Sequence, residues 1–133
     1  MIARVEWKEG MLFEGRSQSG HTIKFDATDN HASGLSPLEA VLTALCACTS
    51  VDVVSILEKK REPLAGLTVS ANAEQAAQPP RVFTRIHLTY RIHGPVAKKA
   101  AEDAVALSKN KYCSVSKMLE KSAEVTYSIE YAE

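Results

Sequence analysis

Apolar and polar residues alternate along the first 26 positions in three short runs, Ile2 to Lys8, Met11 to Arg16 and His21 to Asp26. Glu9-Gly10 and Ser17 to Gly20 separate them. Alternation of period two, bounded by turn residues, predicts a three-stranded meander with one apolar face. Positions 27–35 are polar and contain glycine, so they predict a loop. The period then changes. Ser36-Pro37-Leu38-Glu39 combines a capping hydroxyl, a proline at the first helical position and a glutamate three residues after the cap, which together predict a helix start. Leu38, Val41, Leu42, Leu45, Cys46, Val53, Ile56 and Leu57 cover more than one helical face, and the intervening positions are mostly Ala, Ser or Thr. Such a helix is expected to be enclosed by protein on most sides. Its end is marked by Glu58-Lys59-Lys60-Arg61, cations suited to the negative end of the helix dipole, and by Pro63 beyond.

Period two returns at residues 67–74, and again at residues 81–93, where Val82, Ile86, Leu88, Tyr90 and Ile92 oppose Arg85, His87, Arg91 and His93. At about 3.3 Å per residue the second strand reaches roughly 40 Å, more than a small monomer covers, and suggests a sheet shared between subunits. Gly94-Pro95 breaks it. An amphipathic helix to Ser108 follows, with Val96, Ala97, Ala100, Ala101, Ala104 and Val105 inward. A short helix from about Ser114 to Lys121 and a strand from Val125 to Tyr131 complete the order βββ-α-ββ-αα-β. The expectation is a single α+β domain over residues 1–133, with antiparallel sheets around a long central hydrophobic helix.

Composition narrows the function. The chain has 133 residues, 45% hydrophobic and 24% charged, as befits an ordinary globular domain. Sixteen basic and sixteen acidic residues cancel, which removes the electrostatic reason to expect nucleic acid or an anionic membrane as partner. The apolar run 38–57 contains Glu39 and Asp52, which favours a core helix over a membrane span. The N-terminal residues alternate instead of forming a signal-peptide core, so a cytoplasmic location is expected.

The three cysteines, Cys46, Cys48 and Cys113, are too few for a disulfide scaffold, and in a reducing compartment they serve packing, metal binding or redox chemistry. No CxxC spacing is present and His21, His31, His87 and His93 are scattered, so no metal site is expected. Cys46 and Cys48 project about 200° apart on one helix and do not pair readily. Cys48 and Cys113 lie 65 residues apart, so only the fold can bring them together. Cys48 sits too deep in its helix for the dipole to activate it, and Asp52, one turn on, raises a thiol pKa unless it orients a cation. Cys113 immediately precedes a short helix, whose free backbone N–H groups are expected to favour its thiolate. From the residues alone buried packing is the stronger reading for Cys46 and Cys48 and an equal one for Cys113, since free cysteine often behaves as a small hydrophobe.

Ser36-Pro37-Leu38-Glu39, Cys48-Thr49-Ser50 eleven residues after the proline, Asp52, and Lys111-Tyr112-Cys113-Ser114-Val115 together resemble the OsmC/Ohr family, osmotically induced and organic hydroperoxide resistance proteins. The three-stranded start, the Gly20-His21 hairpin, the long strand pair and the final strand extend the resemblance over nearly the whole chain. The family implies an intertwined homodimer with central helices back to back and sites at the subunit interface. Its peroxidase branches imply that Cys48 attacks an organic hydroperoxide and that Cys113 resolves the product as a disulfide. No cofactor is then needed beyond an external dithiol reductant. Well-studied members carry a glutamate directly after the helix-opening proline, holding an arginine of the N-terminal strands against the reactive thiolate. Here that position is Leu38, with Glu39 one residue later, and the nearest arginine after the first turn is Arg16. Loss of both partners is more coherent than loss of one, because a lone buried charge is costly. The pattern is that of a divergent OsmC-like branch with Arg16 as candidate activator.

Three functions follow as expectations. The first is a homodimeric thiol peroxidase for organic hydroperoxides in stress defence, using Cys48, Cys113 and Arg16. The second is a non-enzymatic stress protein that binds a small apolar or thiol ligand in the interface cleft, made more apolar by Leu38. The third is a redox sensor whose disulfide alters partner binding.

Overall fold

The computed structural model describes residues 1–132, which divide into two compact units, Met1–Leu42 and the chain from Thr43 onward. In the first unit the alternating runs form β1 (Ala3–Glu9), β2 (Leu12–Ser17) and β3 (Thr22–Asp26), an antiparallel sheet in the order β1-β2-β3. Val5, Gly15 and Ile23 stand in one cross-strand row, and Trp7, Phe13 and Phe25 in the next. These rows make the apolar face that the alternation predicts. A Cβ at Gly15 would lie 3.0 Å from Ile23 Cγ2 and 3.1 Å from Phe25 Cε2, so the glycine makes room for its neighbours to close over the strand. Much of this face is nevertheless open: Trp7 is 68% exposed and Val5 57%.

α1 (Pro37–Lys59) starts in the first unit and runs through the second. Its predicted capping box is formed, Glu39 N–H donating to Ser36 Oγ at 3.1 Å and Ser36 N–H to Glu39 Oε1 at 2.8 Å. The Ser36 amide holds the Glu39 carboxyl below its ordinary pKa. The helix buries a narrower surface than its composition predicts. Leu45, Thr49, Val53 and Leu57, each one turn after the last, are fully covered, while Val51 is 68% exposed. The expectation of a helix enclosed on most sides is therefore not met within one chain. A 23-residue helix of this composition is long and apolar enough to cross a membrane, but the stripe identifies it as a core helix.

The second unit's sheet consists of β4 (Gly66–Gln75), β5 (Phe83–His93) and β6 (Glu124–Ala132), in the order β4-β5-β6. β4 and β5 are antiparallel, but β5 and β6 run parallel, so this sheet is mixed where antiparallel pairing is expected. The connection from β5 to β6 explains the difference: it passes through two helices, long enough for the crossover that parallel strands require. A second correction concerns β5. Its inner face carries Phe83, Ile86, Leu88, Tyr90 and Ile92, whereas Val82 is exposed. A bulge opposite Glu74 and Gln75 pairs Phe83 with Gln75 and Arg85 with Glu74. One extra residue on β5 reverses the alternation, and Phe83 takes the inner place assigned to Val82.

The predicted amphipathic helix is shorter and more structured at its end. α2 (Lys98–Leu107) buries Ala101, Ala104 and Val105, then widens into a π-helical turn at Ser108–Tyr112 before α3 (Ser114–Leu119).

Candidate functional site

The buried stripe of α1 has a neighbouring row one residue earlier, and that row carries the chemistry. Cys48 and Asp52 lie one turn apart beside Thr49 and Val53, and both are half-buried. Below Asp52 the same side of the helix borders a cleft of about 430 Å³, lined by Asp52, Ser55, Ile56, Lys59, Leu107 and Tyr112 among others.

Cys113 reaches this row from the far side of the sequence because of the π turn. Its backbone N–H bonds the Ser108 carbonyl, five residues back, at 2.8 Å. This wider turn leaves Tyr112 exposed and sends Cys113 into the interior, where it is 0% exposed. The cysteine is also the N-cap of α3: its Sγ accepts the Ser116 N–H at 3.4 Å. Cys48 lies near enough to Cys113 to push its thiol up, so the fold brings together two residues 65 positions apart. All three cysteines are free thiols.

The electrostatics of Cys113 reverse what its place at a helix start predicts. Burial pushes the thiol up to about 12, and the hydrogen bond and charge of Cys48 and the charge of Asp52 push the same way. The Ser116 N–H pulls it down but is outweighed. One amide at a six-residue helix does not offset removal of a thiolate from water. Cys113 is a thiol, not a thiolate, at neutral pH. Cys46, half-buried on another face of α1, is also raised by burial.

Between the two cysteines' elements runs a chain of buried hydroxyls. Tyr90 Oη of β5 and Thr49 Oγ1 of α1 are 2.6 Å apart, and Thr49 Oγ1 and Ser108 Oγ are 2.8 Å apart. Ser108 Oγ donates to Asp52 Oδ2 at 2.8 Å. Tyr90, Thr49 and Ser108 are at most 1% exposed. Burial also lifts the Tyr90 phenol to about 12, so it remains a donor. Alternation places Tyr90 on the inner face of its strand, but the hydroxyl partners are not predicted from sequence, where Thr49 stands only within Cys48-Thr49-Ser50 and Ser108 only as a helix end. The available signal was that a tyrosine hydroxyl in a core needs a partner.

The profile described as OsmC-like protein matches residues 29–128. This chain belongs to the OsmC family. It is similar to protein YhfA of Escherichia coli strain K12, 44% identical over 131 residues, covering 98% of this chain and 97% of the relative. Among solved structures, the OsmC-like protein from Mycoplasma pneumoniae superimposes with a TM-score of 0.86 at 17% identity, covering 99% of this chain and 96% of that one. The organic hydroperoxide resistance protein OsmC from Legionella pneumophila gives 0.74 at 18% identity, covering 97% and 95%. At such identities these two structures share the OsmC fold.

Within this OsmC-family chain the remaining predicted residues lie in the first unit. Arg16 is on β2, paired across the sheet with Arg4 and Thr22, and exposed. It borders a shallow hollow of about 330 Å³ on the sheet, together with Arg4, His21 and Ile23. Leu38 is partly exposed at the helix start, and Glu39 belongs to the capping box. The second unit thus holds Cys48, Cys113, Asp52 and the hydroxyl chain, and the first holds Arg16.

Proposed function

We propose that this protein is a cytoplasmic, homodimeric thiol peroxidase that reduces organic hydroperoxides in stress defence and acts as one domain over residues 1–133. The observation that carries the reading is the juxtaposition of the Cys48 and Cys113 thiols. A Cys48 thiolate attacks the distal oxygen of the hydroperoxide, the O–O bond breaks, and the leaving alkoxide takes a proton to give the alcohol. Cys48 is left as a sulfenic acid. The Cys113 sulfur then displaces the hydroxyl, forming the S–S bond, and the thiol proton leaves with that hydroxyl as water. An external dithiol returns two electrons and two protons by thiol–disulfide exchange. We assign the cation that favours the Cys48 thiolate to Arg16, on the strength of its place in the N-terminal strands.

A second copy of the chain is the proposed cover for the apolar residues left open, Val5 and Trp7 in one unit and Val51 in the other. Light scattering is expected to give twice the 14.5 kDa chain mass, and a monomer at micromolar concentration would count against it.

Disulfide mapping after a stoichiometric pulse of alkyl hydroperoxide tests the chemistry. The expected result is a Cys48–Cys113 bond with matching loss of peroxide, and no peroxide loss in Cys48→Ser. Full protection against peroxide stress by Cys48→Ser would instead favour ligand binding in the cleft, which the apolar walls Ile56 and Leu107 support.

A further inference from the structure

The hydroxyl chain has a direction, and the direction follows from one end. An ionised Asp52 only accepts, so the single Ser108 proton goes to it. Ser108 Oγ must then accept from Thr49, and Thr49 Oγ1 must accept from Tyr90. Each hydroxyl has one proton, and each is used once. The arrangement is satisfied in one orientation, and its three hydroxyls are sealed from water. A displacement of Ser108 along α1 by one turn would break both of its bonds and leave the Thr49 proton without an acceptor, while Tyr90 stays bonded to Thr49.

Ser108 is also the residue on which Cys113 hangs. Its side chain is tied to Thr49, next to Cys48 in sequence, and to Asp52, one turn further. Its carbonyl accepts the Cys113 N–H. One residue therefore connects the backbone of one thiol to the helical turn that bears the other. Nothing else in the irregular segment 108–113 has two side-chain bonds into α1 among the described hydrogen bonds.

We propose that the Tyr90–Thr49–Ser108–Asp52 chain is a registration device that holds Cys113 against Cys48, with all four as positioning residues for disulfide closure. This rests on the reading that the two cysteines form a disulfide. Closure needs the sulfurs in line, and misplacement lowers the effective concentration of one thiol at the other.

The test uses the full chain equilibrated with mixtures of reduced and oxidised dithiothreitol, with no hydroperoxide present. The cyclic disulfide of the reagent takes two electrons and two protons as the Cys48–Cys113 bond forms. Acid quenching and mass spectrometry give the equilibrium constant. Thr49→Val, which keeps shape and removes the hydroxyl, and Ser108→Ala are each expected to lower it at least tenfold, about 30 mV in potential. Thr49→Ser restores the hydroxyl and is expected to stay within twofold of the natural chain. Folding of each variant is checked by circular dichroism. If Thr49→Val and Ser108→Ala fold and match the natural chain within twofold, the proposal is overturned. Should either fail to fold, Asp52→Asn decides: it keeps an acceptor but removes the charge that orients the chain, and a loss below twofold overturns the proposal. A natural chain that closes its disulfide here yet consumes no hydroperoxide sinks the peroxidase reading and leaves this one standing. A natural chain that closes no disulfide in either experiment sinks both.

Discussion

Cys48 and Cys113 face each other from two kinds of structure. Cys48 lies in the middle of a regular 23-residue helix, where backbone hydrogen bonds fix its direction and a half-buried position leaves it approachable. Cys113 lies at the joint between a π turn and a six-residue helix, fully buried, where the backbone alone would allow several arrangements. The regular element needs no help to aim its thiol. The irregular one is aimed by side chains, and its chemistry is set by burial against the weaker pull of a capping N–H.

The largest expected effect of this contrast is in alkylation. With its thiol at about 12, Cys113 has a thiolate fraction near 10⁻⁴ at pH 8, against roughly a quarter for an ordinary thiol. Iodoacetamide labelling of the native reduced protein, followed by peptide mapping, is expected to modify Cys113 more than 100-fold slower than the same residue in urea. Comparable rates in the two states would break the comparison.

A smaller effect is expected in alkaline stability. The folded Cys113 pKa is raised from 9.0 to about 12 and that of Tyr90 from 10.0 to about 12. Between the unfolded and folded values the unfolded chain has lost these protons and the native one keeps them, so stability falls as pH rises. Below about pH 7 neither group contributes an appreciable slope. From pH 9 to 10.5, urea midpoints are expected to register a loss of roughly 1–2 kcal/mol from Cys113, absent in Cys113→Ser. A parallel decline in both proteins would remove burial as the cause.

The sequence is legible where signals are local. Ser36, Pro37 and Glu39 specify the start of α1 within four residues, and alternation locates every strand. It is less legible where the outcome depends on a distant partner. The bulge that replaces Val82 by Phe83 on the inner face exists only against Glu74 and Gln75 on β4. The parallel pairing of β6 depends on how a long crossover returns to the sheet. In the site, Cys48 and Asp52 could be placed on one side of a helix by counting. The partnership of Thr49 with Tyr90 and Ser108 spans 41 and 59 residues and leaves no periodic trace. The burial that governs Cys113 is likewise a property of the folded core, not of the residues beside it.

The π turn has a consequence for how such a site tolerates change in chain length. In an α-helical turn the residue bonded to the Ser108 carbonyl would be Tyr112; the single added residue gives that place to Cys113. Loss of one residue from 108–112 would restore the narrower turn and shift everything after it by one place. What then enters the core opposite Cys48 is determined by reading frame along the helix, so sulfur at this position depends on a count as much as on a codon.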